Sequence, residues 1–161
     1  MVTIEKKSLK TGNYVNTSHV DAAIRHYKQE RWVHNSKRLG KEDSLSVWYS
    51  VEELEEFLAT VKENGGDGVR MCFGVYGPEF KGNPLYVGRQ TIVMVATRRK
   101  ETPTGEVDKD IYVQSEKDNS ILAYNIGRVC PPMCHTEGGG GQGDDLGVLL
   151  IDKGDEGMVV I

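Results

Sequence analysis

The hydrophobic pattern of the chain changes its period at Gly65-Gly66, and this change indicates where helix gives way to strand. The apolar residues before the glycines follow helical spacing: Val51, Leu54, Phe57, Leu58 and Val61. The apolar residues after them alternate with other residues, as in a strand with one buried face: Val69, Met71, Phe73 and Val75. A helix that ends at the glycines and leads into a sheet is therefore predicted.

The helix before the glycines also has a defined start. Ser50 and Glu53 form a capping box, in which each side chain accepts a hydrogen bond from a free backbone N–H. An earlier helix is predicted over residues 18–33 from the spacing of its apolar residues. The polar, basic segment 35–41 is predicted to be a loop.

The second half of the chain has the pattern of several short strands. Residues 91–97 are apolar on both faces and rich in β-branched side chains, as in a central strand. Residues 111–113 and 121–124 follow as further strands separated by turns, which suits an antiparallel meander. Two apolar runs, 146–151 and 158–161, close the chain.

These patterns predict an α+β fold, with two N-terminal amphipathic helices packed on a mostly antiparallel sheet of four to six strands. A length of 161 residues suits a single domain that covers residues 1–161. Within it we expect an N-terminal arm (1–17), a glycine-rich linker (136–145) and a C-terminal hairpin or partner-binding tail (146–161).

The composition is that of a soluble globular protein, because 38% hydrophobic and 27% charged residues are ordinary values for that class. The net charge of −4 gives no overall attraction to nucleic acid or to an anionic membrane. No apolar run approaches the roughly 18 residues of a membrane helix, and the first residues lack a signal-peptide pattern. Three cysteines without a secretory context favour reduced thiols. We therefore expect a cytoplasmic protein.

The segment Cys130-Pro131-Pro132-Met133-Cys134-His135 concentrates the residues that carry metal or thiol chemistry. A zinc site here would use Cys130, Cys134, His135 and Cys72. Polyproline geometry would hold the two cysteine Cα atoms roughly 12 Å apart, so a metal site and a disulfide both require a sharp turn at residues 132–133. We favour the third interpretation, a rigid loop with thiols as packing groups, and expect no cofactor.

Three arginines form a second candidate site, for an anion or a carboxylate. Arg70 lies in the strand after the glycines, Arg89 precedes the central strand, and Arg128 precedes the cysteine segment. If these strands are neighbours, the three guanidinium groups converge as a clamp. Equally, each arginine pairs with one of the 24 acidic residues on a solvated face of the sheet.

Four segments carry a family resemblance: Val47-Trp48-Tyr49-Ser50 with Glu53, Gly68-Val69-Arg70 with Phe73-Gly74-Val75-Tyr76, Val93-Met94-Val95-Ala96-Thr97, and Cys130-Pro131-Pro132-Met133-Cys134. In them the chain resembles a family of short hypothetical proteins from Bacteroidota-type bacteria. The resemblance covers roughly residues 45–135 and implies a bacterial cellular setting, and it transfers no catalytic residue.

The predicted function is a non-enzymatic cytosolic binding or regulatory module that acts through contacts with a protein partner or with a second copy of the chain. The apolar residues 158–161 invite such a partner, and no conventional catalytic triad, nucleotide loop or acid pair is recognisable in the sequence. The first alternative is a small metal- or thiol-dependent enzyme that uses Cys130, Cys134 and His135. The second is an anion-binding sensor built on Arg70, Arg89 and Arg128.

Overall fold

The computed structural model describes residues 7–114 and 116–134, together with the backbone of residues 150–152 and 158–160. The predicted glycine-rich linker (136–145), His135 and the start of the predicted C-terminal segment (146–149) lie outside the described residues. Residues 7–16 of the predicted arm form neither helix nor strand. None of the described helices combines the length and the apolar character that crossing a membrane requires.

One helical run occupies residues 17–39. It consists of α1 (Thr17–Tyr27), a π-helical turn (Lys28–Trp32) and α2 (Val33–Leu39). The loop predicted at 35–41 is therefore wrong for residues 35–39. The run ends at Gly40, whose φ of 69° lies in the left-handed region that commonly terminates a helix.

The additional helical turns are held by Asp43, which is 2% exposed. Its backbone carbonyl accepts a hydrogen bond from Trp32 Nε1 at 2.8 Å, and its carboxylate accepts one from Asn35 Nδ2 at 3.2 Å. The backbone N–H of Asp43 donates to Ser36 Oγ at 2.9 Å. These contacts join the helix to the segment that follows it, so apolar periodicity gave no sign of them.

The second helix, α3 (Val51–Glu63), confirms the predicted capping box. Ser50 N donates to Glu53 Oε2 at 2.7 Å, and Glu53 N donates to Ser50 Oγ at 3.1 Å. The predicted stop is also confirmed, because Gly65 has a φ of 78° directly after the C-cap residue Asn64. Both ends of α3 thus follow from local sequence.

Ten strands complete the described structure: β1 (Ser46–Trp48), β2 (Gly68–Val75), β3 (Gln90–Thr102), β4 (Gly105–Asp110), β5 (Tyr112–Gln114), β6 (Asn119–Ile121), β7 (Ala123–Tyr124), β8 (Arg128–Cys130), β9 (Leu150–Asp152) and β10 (Met158–Val160). A 3₁₀ turn (Pro84–Tyr86) lies between β2 and β3. The pairing is antiparallel throughout.

The long strand β3 organises the main sheet. Its first part pairs with β2, its last part pairs with β4, and β7 pairs with it opposite Met94 and Val95. The other strands form three separate pairs, β1 with β8, β5 with β6 and β9 with β10.

The fold is mixed α+β, as predicted, but its detailed arrangement differs from the prediction. The expected arrangement of two amphipathic helices on a single sheet of four to six strands is not what the structure shows. The described structure contains one four-stranded sheet and three two-stranded sheets, together with the helical run of residues 17–39 and α3. The short strands account for the difference, since most of them have only two or three residues and pair with one partner each.

The core lies between α3 and β3. Phe57 and Val61 of α3 form a buried cluster with Met94 and Ala96 of β3, and all four are at most 6% exposed. The ring of Tyr124 in β7 lies 5.4 Å from that of Phe57. Full burial of side chains of this size stabilises a fold by about 1.5–3 kcal/mol each, so this contact fixes α3 over β3.

The capping box should make a measurable contribution to the free energy of unfolding. Ser50→Ala removes the hydroxyl that accepts from Glu53 N and should lower that free energy by about 1 kcal/mol in urea denaturation. Thr60→Ala, at an exposed position in the last turn of α3, is the control. An equal or larger loss in the control variant would contradict a special role for Ser50.

The same box should respond to acid. The pKa of Glu53 is held below its ordinary value of 4.5, first by the backbone N–H of Ser50 and then by the Ser50 hydroxyl, with Tyr124 adding a further hydrogen bond. A carboxyl with a lowered folded pKa stabilises the fold above its unfolded pKa, and this stability is lost as the pH falls through the folded value. The stability difference between wild type and Glu53→Gln should therefore be full above pH 4.5 and shrink in more acidic urea titrations.

Candidate functional site

The cysteine segment turns sharply, as both of its chemical interpretations required. Cys130 and Cys134 form a disulfide, with their Cα atoms 4.7 Å apart. Met133 N donates to Val129 O at 2.8 Å and closes the turn, and Val129 itself is fully buried. The structure contradicts the expectation that these two thiols are reduced.

The oxidised pair changes what this segment offers to a metal. Zinc binds cysteine as the thiolate, and neither sulfur of a disulfide is a thiolate. Within residues 7–114 and 116–134, no group of three or more His, Cys, Asp and Glu side chains is arranged to hold a metal ion. Cys72 is a free, half-buried thiol in β2, and His135 lies outside the described residues.

The three arginines of the second candidate site have separate partners. Arg70 pairs with the Asp110 carboxylate and donates to Asp108 O at 2.6 Å. Arg89 is 7% exposed and donates to the backbone carbonyls of Glu42 and Leu85.

Arg128 stacks on a ring instead, with its guanidinium carbon 4.3 Å from the centre of the Trp48 ring. Arg70 lies opposite Val95 of β3, and Arg89, which directly precedes β3, is six residues from Val95 along the extended chain, or about 20 Å. The structure thus does not bring Arg70 and Arg89 together, and an anion shared by the three would require these contacts to break.

A row of apolar side chains on β2 is exposed to solvent. Met71 is 64% exposed, Phe73 is 81% exposed and Val75 is 64% exposed. The sequence predicted this row to be the buried face of the strand, and that prediction is wrong. The cause is the position of α3, which packs on Met94 and Ala96 of β3 and leaves the outer part of β2 uncovered.

The backbone of these same residues also lacks a second partner strand among the described residues. Among the described residues, β2 pairs with β3 and with no other strand, so it forms an edge of the sheet. Tyr76 N donates to Arg89 O, and Tyr76 O accepts from Gly88 N, so Tyr76 directs both groups towards β3. Because these groups alternate in an antiparallel ladder, those of Met71, Phe73 and Val75 point away from β3.

A groove lies between the row on β2 and the helical run of residues 17–39. Its volume is about 560 Å³, and it is lined by Tyr27, Arg31, Asn35, Phe73, Val75 and Gln90 among others. A second cavity of about 280 Å³ shares Tyr27, Phe73 and Gln90 with it and extends beside Ile24 and Val47.

One hydrogen bond joins the two walls of the groove. The Tyr27 hydroxyl donates to Gln90 Oε1 at 2.6 Å. Burial raises the pKa of Tyr27, and the charge of Asp43 raises it further, so the hydroxyl keeps its proton at neutral pH. The charged residue in the lining is Arg31, whose Nη1 donates to Glu30 O at 3.0 Å. Its Nη2 and Nε have no hydrogen-bond partner among the described residues.

No protein-family model, curated protein or solved structure matches the chain. Its function must therefore be inferred from the geometry and chemistry of its own surface. The resemblance to short bacterial proteins stays a prediction.

The exposed row should contribute little to stability. Phe73→Ser should change the free energy of unfolding by less than about 0.5 kcal/mol, as is usual for a surface site. Phe57→Ala, which removes a ring of the same size from the core, should lower it by about 3–5 kcal/mol. Urea denaturation measures both, and a large loss in Phe73→Ser would show that the ring is buried in solution.

The oxidation state of the cysteine segment can be counted directly. When the protein is unfolded without prior exposure to a reductant, one thiol per chain, that of Cys72, should react with a thiol reagent. After full reduction the count should rise to three. Three thiols before reduction would contradict the disulfide and reopen the question of zinc.

Proposed function

We propose that the protein is a non-enzymatic binding module that captures an extended segment of a partner protein at the edge of β2. The segment pairs with the backbone of Met71, Phe73 and Val75 and places alternate side chains in the groove beside the helical run. The observation that carries this proposal is the coincidence of exposed apolar side chains with outward-directed backbone groups on the same three residues.

The edge supplies affinity through the backbone. An extended peptide that adds a strand to an open sheet edge gains a row of main-chain hydrogen bonds, and pockets for alternate side chains give specificity. Natural proteins usually protect such an edge with charges, proline or a covering element, because an open edge invites association. β2 contains one charged residue, Arg70, but the three residues whose backbone groups point away from β3 are the apolar Met71, Phe73 and Val75. The edge of β2 therefore lacks this protection.

Phe73 supplies the central apolar anchor. Its ring is 81% exposed in the unbound protein and lines both cavities. Covering a phenylalanine side chain fully contributes about 1.5–3 kcal/mol, and aromatic residues are enriched among residues that dominate binding energy. Met71 and Val75 extend the same apolar strip along the strand.

Charge narrows the partner further. Arg31 is the charged side chain in the lining of the larger cavity. A carboxylate in the bound segment can form a charge-assisted hydrogen bond with its free guanidinium nitrogens. The segment is therefore expected to alternate apolar residues with others and to carry an aspartate or glutamate near one end.

The other predicted functions have weaker support. A thiol- or metal-dependent enzyme would need the sulfurs of Cys130 and Cys134 as thiolates, and a sensor on three arginines would need Arg70 and Arg89 on one ligand. A cytoplasmic location and a bacterial setting remain part of the proposal, but the disulfide of Cys130 and Cys134 removes the reduced thiols as an argument for the cytoplasm. A second copy of the chain is the competing occupant of the edge, and the experiment below distinguishes it.

Selection from a random peptide display library tests the proposal. The wild-type protein should enrich extended sequences with alternating apolar residues and an acidic residue. In fluorescence anisotropy with one enriched peptide, Phe73→Asp should weaken binding at least tenfold, since it places a charge where the apolar anchor binds. The same peptide with N-methyl groups on alternate residues should fail to bind, because it cannot complete the ladder.

The matched control is Leu85→Ser, which removes an exposed apolar side chain outside both cavities. It should bind the selected peptide as wild type does. Equal binding by Phe73→Asp, or enrichment of helical sequences, would contradict docking at β2. A stable dimer in sedimentation that dissociates in Phe73→Asp would assign the edge to a second copy instead.

A further inference from the structure

A second surface, remote from the β2 row, carries an unusual arrangement of charge. Arg98 and Lys109 lie directly opposite each other on β3 and β4. Lys100 lies two residues along β3 from Arg98, so all three cations share one face of the sheet. Residues 98–100 belong to β3, which continues beyond the apolar segment 91–97.

The opposite face of the same two strands is neutralised. There Arg99 pairs with Asp108 and Glu106, and Arg70 pairs with Asp110. On the first face, in contrast, Arg98, Lys100 and Lys109 have no acidic partner within ion-pair distance in the part of the chain that the structure describes. The strand alternation thus separates paired charges from unpaired ones.

The three cations line a cavity of about 250 Å³ beside the C-terminal end of α3. Asn64 and Tyr112 add polar groups to its lining. Asp110 also borders it, but the carboxylate of Asp110 is engaged by Arg70. The cavity therefore presents three positive charges against one carboxylate that already has a partner.

Like charges placed directly opposite each other on neighbouring strands destabilise the pair. A multivalent anion in the cavity would remove this repulsion and accept hydrogen bonds from Arg98, Lys100 and Lys109. We propose that this cavity binds a small molecule through a phosphate or diphosphate group. This site is separate from the β2 edge and does not depend on the function proposed there.

The size of the cavity favours a small anion over a polymer. Pockets for drug-sized ligands usually have volumes of about 300–1,000 Å³, and this one is slightly smaller. The net charge of the chain is −4. A long polyanion that extended beyond Arg98, Lys100 and Lys109 would therefore be repelled by the rest of the protein surface. A nucleic acid backbone, the competing source of phosphate groups, is therefore an outcome of the test rather than the proposal.

Thermal unfolding with added pyrophosphate tests the site at constant ionic strength, with sodium chloride as the balancing salt. At a hundredfold excess over the Kd, pyrophosphate should raise the Tm of wild type by about 5–10 °C. The double variant Lys100→Gln/Lys109→Gln should lose this shift. Its own Tm without ligand should equal or exceed that of wild type, because the repulsion is relieved, and this outcome excludes damage to the fold.

The control is Lys10→Gln/Lys81→Gln, which removes two exposed lysines elsewhere and should keep the full shift. Equal shifts in all three proteins would show nonspecific ion effects and overturn the proposal. It would also be overturned if wild type showed no shift, or if it bound a single-stranded oligonucleotide but not pyrophosphate.

Discussion

The antiparallel pairing of β2 with β3 is the constraint on which the rest of the structure depends. It places Val69, Met71 and Phe73 on the same face as Ala96, Met94 and Ile92. α3 packs on that face, but it covers β3 and only the start of β2. The apolar row on the outer part of β2 is the direct consequence, because the sheet ends there and the helix does not extend over it.

A second consequence of the same pairing appears at the other end of β3. Beyond Thr97, β3 pairs with β4, and α3 has already ended at Glu63. The face that carries the core at Met94 and Ala96 therefore becomes solvent-facing at Arg98 and Lys100. One strand thus contributes to the buried core in its middle and to a charged cavity at its end, and the length of α3 sets the boundary.

Two polar anchors hold the helices against this sheet. Asp43 receives hydrogen bonds from Trp32 and Asn35 in the helical run and from Gln90 N at the start of β3, at 2.8 Å. Glu53 joins the start of α3 to β7 through the Tyr124 hydroxyl at 3.0 Å. Buried or half-buried carboxylates are tolerated when several donors satisfy them, as here. The groove beside β2 is shaped by the first of these anchors.

Local features of the fold were predictable and tertiary ones were not. The capping box of Ser50 and Glu53 and the left-handed stop at Gly65 depend on neighbours within a few residues, and the sequence predicted both. The face of β2 that is buried depends on strand order and on how far α3 reaches, so alternation alone misassigned Met71, Phe73 and Val75. Likewise, Arg98 and Lys109 are eleven residues apart in sequence, and only the β3–β4 register places them opposite each other.

The openness of β2 can be measured by hydrogen exchange of individual backbone amides in the unbound protein. Amides that bond to β3 should exchange slowly, and amides that point outward should exchange quickly. Slow exchange is expected at Arg70, Cys72 and Gly74, and fast exchange at Met71, Phe73 and Val75. Uniform protection across residues 70–75 would contradict it, because the edge would then already be covered.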